Sequence, residues 1–325
     1  GESALAGIVS EREQGEAFTS LFDFCRRVEL KKINRRVMES LVKAGAFDSL
    51  GGHRASLEAS LSRAMQIAEQ HRRDAASGQN DLFGLAEPSH ADQPQTDLLE
   101  IVPEWQEEQL LRAEKETLGL YLSGHPIDRY ADELAQFIPK KISELDAPES
   151  KGYQRNEIPL LTAGLIVAIR TMKSKNGSRM AFITLDDQTA RLEVRVFGDV
   201  YEQYQSVIQP DKLVVIQGKI GQDNFSGGLA GTAESVYDLQ KARELFGKVL
   251  QLTVKHNGED TQWISQMQTV MTPFCGGVVP VELKYHNQNA EVMIRLGHDW
   301  QITPSDTLLK ELADLPVSET VTVRY

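Results

Sequence analysis

Two short runs hold the side chains best placed to act on a ligand. In Arg179-Met180-Ala181-Phe182-Ile183-Thr184-Leu185 and in Arg191-Leu192-Glu193-Val194-Arg195-Val196-Phe197, small or aliphatic residues take every second place. Such alternation predicts two half-buried strands, with Ala181, Ile183, Leu185, Leu192, Val194 and Val196 turned inward. Met180, Phe182, Thr184, Arg191, Glu193, Arg195 and Phe197 then share the open side. Rings beside guanidinium groups suit stacking on a base and contact with a phosphate. The preceding turn, Lys173-Ser174-Lys175-Asn176-Gly177-Ser178, adds Lys173 and Lys175 and makes a basic rim with Arg179. The same face would suit a protein neighbour covering Phe182 and Phe197, so both readings stay open on these residues.

Other reactive side chains lead nowhere catalytic. Paired carboxylates such as Asp186-Asp187 can hold two metal ions. Here they fall in a tight turn between strands, where Asp is favoured for backbone reasons, and no third acid is near. His125 has no Ser, Cys or second His at a telling spacing and reads as a packing or capping residue. Seven His and two Cys form no cluster with zinc-ligand spacing. No catalytic residue, metal or cofactor is therefore expected in this segment. Cys25 and Cys275 lie in different predicted domains among apolar neighbours, which argues against a disulfide framework and for a reducing, cytoplasmic location.

A second phosphate-binding candidate precedes these. Ser20 can cap a helix through Leu21, Phe22, Phe24 and Cys25, and Asn34 another through Val37, Leu41 and Val42. The latter stops at Ala44-Gly45-Ala46-Phe47-Asp48, with Gly45 where a helix C-terminus favours glycine. A further helix, roughly His53 to Arg73, sets Leu57, Leu61, Met65 and Ala68 on one face. Helix, glycine hairpin, helix can turn backbone N–H groups toward a phosphate, with Arg35, Arg36, Lys43 and Arg54 strengthening the contact. An ordinary helical hairpin with a solvated basic face is the alternative.

Between the two candidates lies Gln79-Asn80-Asp81-Leu82-Phe83-Gly84. Leu82-Phe83 belongs to no amphipathic helix or strand, so it must fold back on this molecule or dock into another. A short peptide docks by pushing adjacent anchors into a groove while polar groups such as Gln79 and Asp81 fix register. Leu85 to Leu99 reads as an acidic linker. Glu104 to Tyr121 reads as a charged helix with Trp105, Leu110, Leu111, Leu118 and Tyr121 as buried candidates, ending at Ser123-Gly124-His125-Pro126 through Gly124 and Pro126.

Beyond Ile158 the period changes from helical to alternating. Strands at Pro159 to Met172, Arg179 to Leu185 and Ala190 to Phe197, a helix at Asp199 to Val207, and strands at Lys212 to Ile220 and Gly228 to Leu239 follow the order of an OB barrel. Val249 to Lys255, a helix through Trp263, Ile264, Met267 and Met271, strands at Val278 to Tyr285 and Glu291 to Leu296, a helix capped by Ser305 with Leu308, Leu309 and Leu312 inside, and a strand at Thr320 to Tyr325 predict a small α+β domain. The fold class is thus multidomain α+β. Domains are expected at 1–75 (helical hairpin), 76–100 (peptide-bearing linker), 101–150 (helical connector), 151–240 (OB) and 241–325 (α+β).

Charge and length set bounds on these readings. The net charge of −12 argues against nucleic acid until its distribution is seen: residues 81–150 hold 5 Lys+Arg against 16 Asp+Glu, which is −11 of the total. The flanking segments are nearly neutral and free to carry basic faces. No run of about eighteen apolar residues is present, so no membrane partner is expected. Gly1-Glu2-Ser3-Ala4-Leu5-Ala6 enters a helical pattern without a Met or a cap, which suggests a piece of a longer polypeptide.

Four longer stretches resemble one family. They are Asn34-Arg35-Arg36-Val37 through Ser40-Leu41 to Gly45-Ala46-Phe47-Asp48; Glu116-Thr117-Leu118-Gly119-Leu120-Tyr121-Leu122-Ser123-Gly124-His125-Pro126; Thr184-Leu185-Asp186-Asp187 with Arg191-Leu192-Glu193-Val194; and Phe225-Ser226-Gly227-Gly228-Leu229. Together they resemble the C-terminal portion of the alpha subunit of bacterial DNA polymerase III, a replicative polymerase. The resemblance implies tandem helix-hairpin-helix elements on duplex DNA, the first represented only by its downstream end at Gly1-Glu2. It further implies an internal sliding-clamp peptide at Gln79, Asp81, Leu82 and Phe83, an OB domain near single-stranded template, and a C-terminal domain that binds the tau subunit of the clamp loader. The polymerase palm with its metal-binding aspartates and the N-terminal phosphoesterase-like domain are absent from the sequence. Competing expectations are a scaffold that binds only protein, and the OB module of an RNA-modifying or aminoacylating enzyme.

Overall fold

A computed structural model describes residues 2–30, 33–76, 98–146, 157–173, 179–223, 228–256, 261–287 and 290–325. The chain divides into two compact units, Gly1–Pro126 and Ile127–Tyr325. Among the described residues no helix is long and apolar enough to cross a membrane.

Among the described residues, the α-helices of the first unit are α1 (Glu2–Gln14), α2 (Leu21–Arg27), α3 (Arg35–Lys43), α4 (Arg54–Ala76) and α5 (Glu107–Leu118). Ser20 and Asn34 cap α2 and α3 as their side chains predict, accepting the N–H groups of Asp23 and Val37 at 3.0 Å. Leu57, Leu61 and Ala68 on α4 are fully buried against Leu21, Phe22, Met38 and Val42. Each large apolar side chain so buried contributes about 1.5–3 kcal/mol. Burial also pushes the Cys25 thiol up to about 12, so it stays protonated and unreactive.

Two expectations about α5 are corrected. The helix runs from Glu107 to Leu118, three residues shorter at each end than the expected Glu104 to Tyr121. Gly119, at φ 74°, takes the left-handed position and donates its N–H to the Lys115 carbonyl at 3.0 Å. Leu118, expected inside, is exposed, and Leu111 is the buried leucine of this helix.

In the second unit β1 (Ile158–Lys173), β2 (Arg179–Asp186), β3 (Arg191–Val196), β4 (Leu213–Gln222) and β5 (Leu229–Tyr237) close into a barrel of order β1-β2-β3-β5-β4. Closure depends on β1, whose first half pairs with β4 and whose second half pairs with β2 across a bulge between Ile166 and Ala168. Helix α6 (Ala131–Leu134) precedes the barrel and α7 (Gly198–Tyr204) lies between β3 and β4. The chain passes through α8 (Leu239–Phe246), a helix the alternation pattern did not reveal, into a four-stranded sheet of order β10-β6-β8-β9. Its strands are β6 (Val249–Lys255), β8 (Val281–His286), β9 (Glu291–Arg295) and β10 (Ser318–Arg324), and α9 (Gln262–Met271) and α10 (Asp306–Ala313) supply Met267, Met271, Leu308 and Leu312 to its core. The long strand expected over Val278 to Tyr285 is broken into β7 (Cys275–Val279) and β8, because Pro280 has no N–H to give a ladder.

The barrel interior holds Ile183, Leu185, Val194, Val196, Val214 and Ile216 at full burial. Ile183→Ala should therefore cost about 2–5 kcal/mol in a denaturant titration of the barrel unit; a cost under about 1 kcal/mol would show that the barrel is not sealed by this layer.

Candidate nucleic-acid interface

Strand parity places the outward residues where the pattern predicted. Register pairs Arg170 of β1 with Phe182 of β2, and Phe182 with Arg195 of β3. These three side chains form one row across three strands. The Arg170 guanidinium lies over the Phe182 ring with its carbon 4.7 Å from the centroid, so ring and cation are stacked before any ligand arrives. Residue type and spacing do not mark Arg170; its place opposite Phe182 depends on a register that only the folded barrel sets. The row continues through Thr232 of β5 to Lys219 of β4.

Flanking the row, Phe197 is 45% exposed. Lys173 and Arg179 face each other at the open ends of β1 and β2. Lys175 lies outside the described residues. Arg191 donates to the Asp186 carboxylate at 2.9 Å, and Arg195 contacts Asp223. Asp186 and Asp187 do what the turn reading assigns to them. The Asp187 carboxylate accepts the N–H groups of Thr189 and Ala190 at 2.9 and 3.0 Å, and its other oxygen accepts that of Ile142 at 2.7 Å. Among the described residues no group of three or more His, Cys, Asp or Glu side chains is placed to hold a metal ion.

The hairpin of the first unit departs from expectation. Gly45 sits at φ 76°, with its N–H on the Val42 carbonyl and that of Ala46 on Leu41, the pattern that closes a helix C-terminus. The N–H groups of Ala44 and Asp48 are likewise bonded, to Ser40 and Gly45, so these four are spent within the hairpin. Arg54 is corrected as well: it is buried, not phosphate-facing. Its guanidinium donates to Asp48 at 2.9 and 2.7 Å, to the Lys43 carbonyl at 3.2 Å and to Glu114 at 2.9 Å. Arg35 donates to Glu39 at 2.8 Å and to Ser62 at 2.7 Å, Arg36 is exposed, and Lys43 lies 4.0 Å from Glu116. Exposed cations therefore remain at Arg35, Arg36 and, in part, Lys43. Gln79, Asp81, Leu82 and Phe83 lie outside the described residues.

Arg54 and Glu114 are the charges that sequence reasoning missed as a pair. Glu114 is fully buried and accepts the N–H groups of Leu122 and Ser123 at 2.6 and 2.9 Å and the Ser123 hydroxyl. One carboxylate thus ties the segment after Gly119 to the hairpin through Arg54. Burial would raise its pKa, but the Ser123 and Leu122 hydrogen bonds and Arg54 hold it below the usual glutamate value.

The arrangement defines a class: a multidomain α+β chain that joins a helical hairpin region to an OB-fold barrel and a small α+β domain. Comparison with known families agrees, with the helix-hairpin-helix motif matching residues 1–57, the OB-fold nucleic acid binding domain 161–240, and the C-terminal domain of DNA polymerase III subunit alpha 266–315. The DNA polymerase III subunit alpha of Vibrio cholerae is 40% identical over 317 residues, covering 97% of this chain and 26% of the relative. That of Escherichia coli K12 is 38% identical over 328 residues, covering 100% of this chain and 27% of the relative. Among solved structures, the SSB domain of a Synechococcus protein aligns at TM-score 0.22 and 19% identity, covering 27% of this chain and 99% of that one. The chain belongs to the DNA polymerase III alpha-subunit family and matches its C-terminal portion, spanning about a quarter of the relatives' length.

Removing one partner of a buried ion pair strands the other charge, so Glu114→Ala should destabilise the first unit by about 3–5 kcal/mol. A lowered folded pKa means that the Glu114 contribution is complete above the unfolded value of about 4.3 and is lost as pH falls from there through the folded value. Unfolding followed by urea between pH 7 and pH 3 should show a shallower acid loss in Glu114→Gln than in the unsubstituted chain. Parallel curves would remove Glu114 from the acid response.

Proposed function

We propose that this chain is the DNA-handling and processivity segment of a replicative DNA polymerase, with nucleotidyl transfer carried out by parts of the polymerase beyond it. The observation that carries the reading is the outward row of Arg170, Phe182 and Arg195 on a closed OB barrel, in a chain of the alpha-subunit family. Single-stranded DNA would stack on Phe182 and Phe197 while Lys173, Lys175, Arg179, Arg191 and Arg195 follow its backbone. Duplex DNA would meet Arg35, Arg36 and Lys43, with Gly45 shaping the turn that presents them. Those side chains, and not the bonded hairpin N–H groups, would supply that grip.

Two partner contacts complete the proposal. Gln79, Asp81, Leu82 and Phe83 fit the pattern of a sliding-clamp peptide, and the domain over 241–325 would engage the tau subunit of the clamp loader. Binding a ring that encircles DNA raises the local concentration of the polymerase at the primer end, so a modest peptide affinity becomes long residence. Cytoplasmic location, and no cofactor for this segment, belong to the same reading. A protein-only scaffold is favoured by one observation: carboxylates already answer Arg191 and Arg195.

Replacing Leu82 and Phe83 together by Ala should weaken binding to purified sliding clamp at least ~30-fold, as loss of a hot-spot anchor does, with the thermal unfolding curve unchanged. An unchanged dissociation constant in surface plasmon resonance refutes the clamp assignment. Titrating labelled single-stranded DNA across salt concentrations separates the two readings of the barrel: binding that weakens with salt supports nucleic acid, and none at low salt supports the protein-only scaffold. Incorporation of nucleotides by this chain on primed template would contradict the non-catalytic reading.

A further inference from the structure

The cations of the barrel face are answered by carboxylates to very different degrees. Arg170 lies 3.9 Å from Glu193 with side chains 66% and 46% exposed, and Lys219 lies 2.9 Å from Glu234 with both about half exposed. Water and salt weaken such pairs readily. Arg195 and Asp223 differ, at 22% and 12% exposed. Asp223 lies in the turn between β4 and β5, and β5 is the strand that pairs with β3 beside Arg195. The row thus holds one cation stacked on its ring, Arg170, and one engaged by a sheltered carboxylate, Arg195.

We propose that Asp223 is an internal competitor for phosphate. It occupies Arg195 in the unliganded barrel, and a single strand gains Arg195 only by displacing it. The inference rests on the reading of this face as a single-strand surface and adds how its grip is set. A phosphate contact that must first break a sheltered ion pair yields less net affinity than the count of cations suggests. Its consequence is a weaker grip on the backbone, which leaves stacking on Phe182 a larger share of the affinity.

Asp223→Asn keeps the shape and the hydrogen-bonding oxygen and removes the charge. In the full chain, titrated by fluorescence anisotropy with a labelled oligo(dT), it should bind roughly two- to fivefold tighter. One more phosphate contact should also steepen the slope of log K against log salt by about 0.7. Arg195→Ala with Asp223→Asn should cancel both gains. Asp223→Ser serves as a second variant if the first lowers the unfolding temperature. Tighter binding with the steeper slope supports the proposal; equal or weaker binding at an unchanged slope, in variants that fold, overturns it and leaves Asp223 a structural residue. No binding by the unsubstituted chain at low salt overturns the single-strand reading as well, so the two failures are distinct.

Discussion

Closure of the OB barrel is the constraint on which the outward face of rings and cations depends. Side chains of a strand alternate between two faces, so sealing the interior with Ile183, Leu185, Val194 and Val196 obliges Phe182, Glu193 and Arg195 to face out. The bulge in β1 lets one strand pair with both β2 and β4, and the register it sets brings Arg170 opposite Phe182. A slip of one residue would turn the aromatic row into the core and the aliphatic row into water. The face is therefore specified by the hydrophobic effect acting on its opposite side.

Among the described residues, buried charge plays the second structural part in both units. In the first, Arg54 and Glu114 fix the hairpin and the segment after Gly119. In the second, Arg243 is 2% exposed and donates to Glu133 at 2.7 and 2.8 Å, to Asp306 at 2.6 Å and to the Pro304 carbonyl at 3.3 Å. Tyr130 donates to Asp306 at 2.6 Å and Tyr325 to Glu133, while Phe137 stacks on Tyr325 with centroids 4.5 Å apart. Burial and the adjacent carboxylates raise both phenol pKa values, so the hydroxyls remain donors. Such networks give little net stability over an apolar core, but they penalise every arrangement that leaves one member unpaired. This one joins the segment before the barrel, helix α8 and the C-terminal sheet within one unit.

The sequence is legible where the physics is local. Caps at Ser20, Asn34 and Ser305, the left-handed Gly45, and the inward and outward sets of β2 and β3 all follow from residue type and spacing. The family resemblance and the multidomain α+β fold class were equally legible. What escaped depends on distant partners. Arg54 reads as a surface cation until Glu114, sixty residues on, is folded beside it. Arg170 has no role until strand register sets it over Phe182. Gly119 and Gly124 are both plausible helix stops, and the choice falls to Gly119 because Glu114 captures the N–H groups of Leu122 and Ser123 and so rules out further helix.

Rings and guanidinium groups fixed outward by a sealed barrel are, on this account, what single-stranded DNA meets. The most direct measurement is binding of a labelled oligo(dT) to the full chain carrying Phe182→Ala and Phe197→Ala, compared with the unsubstituted chain at equal salt. Loss of two stacking platforms should weaken binding by about tenfold or more with the fold intact by circular dichroism. Equal affinity in the two proteins would show that the strand binds elsewhere and that the aromatic face serves another partner.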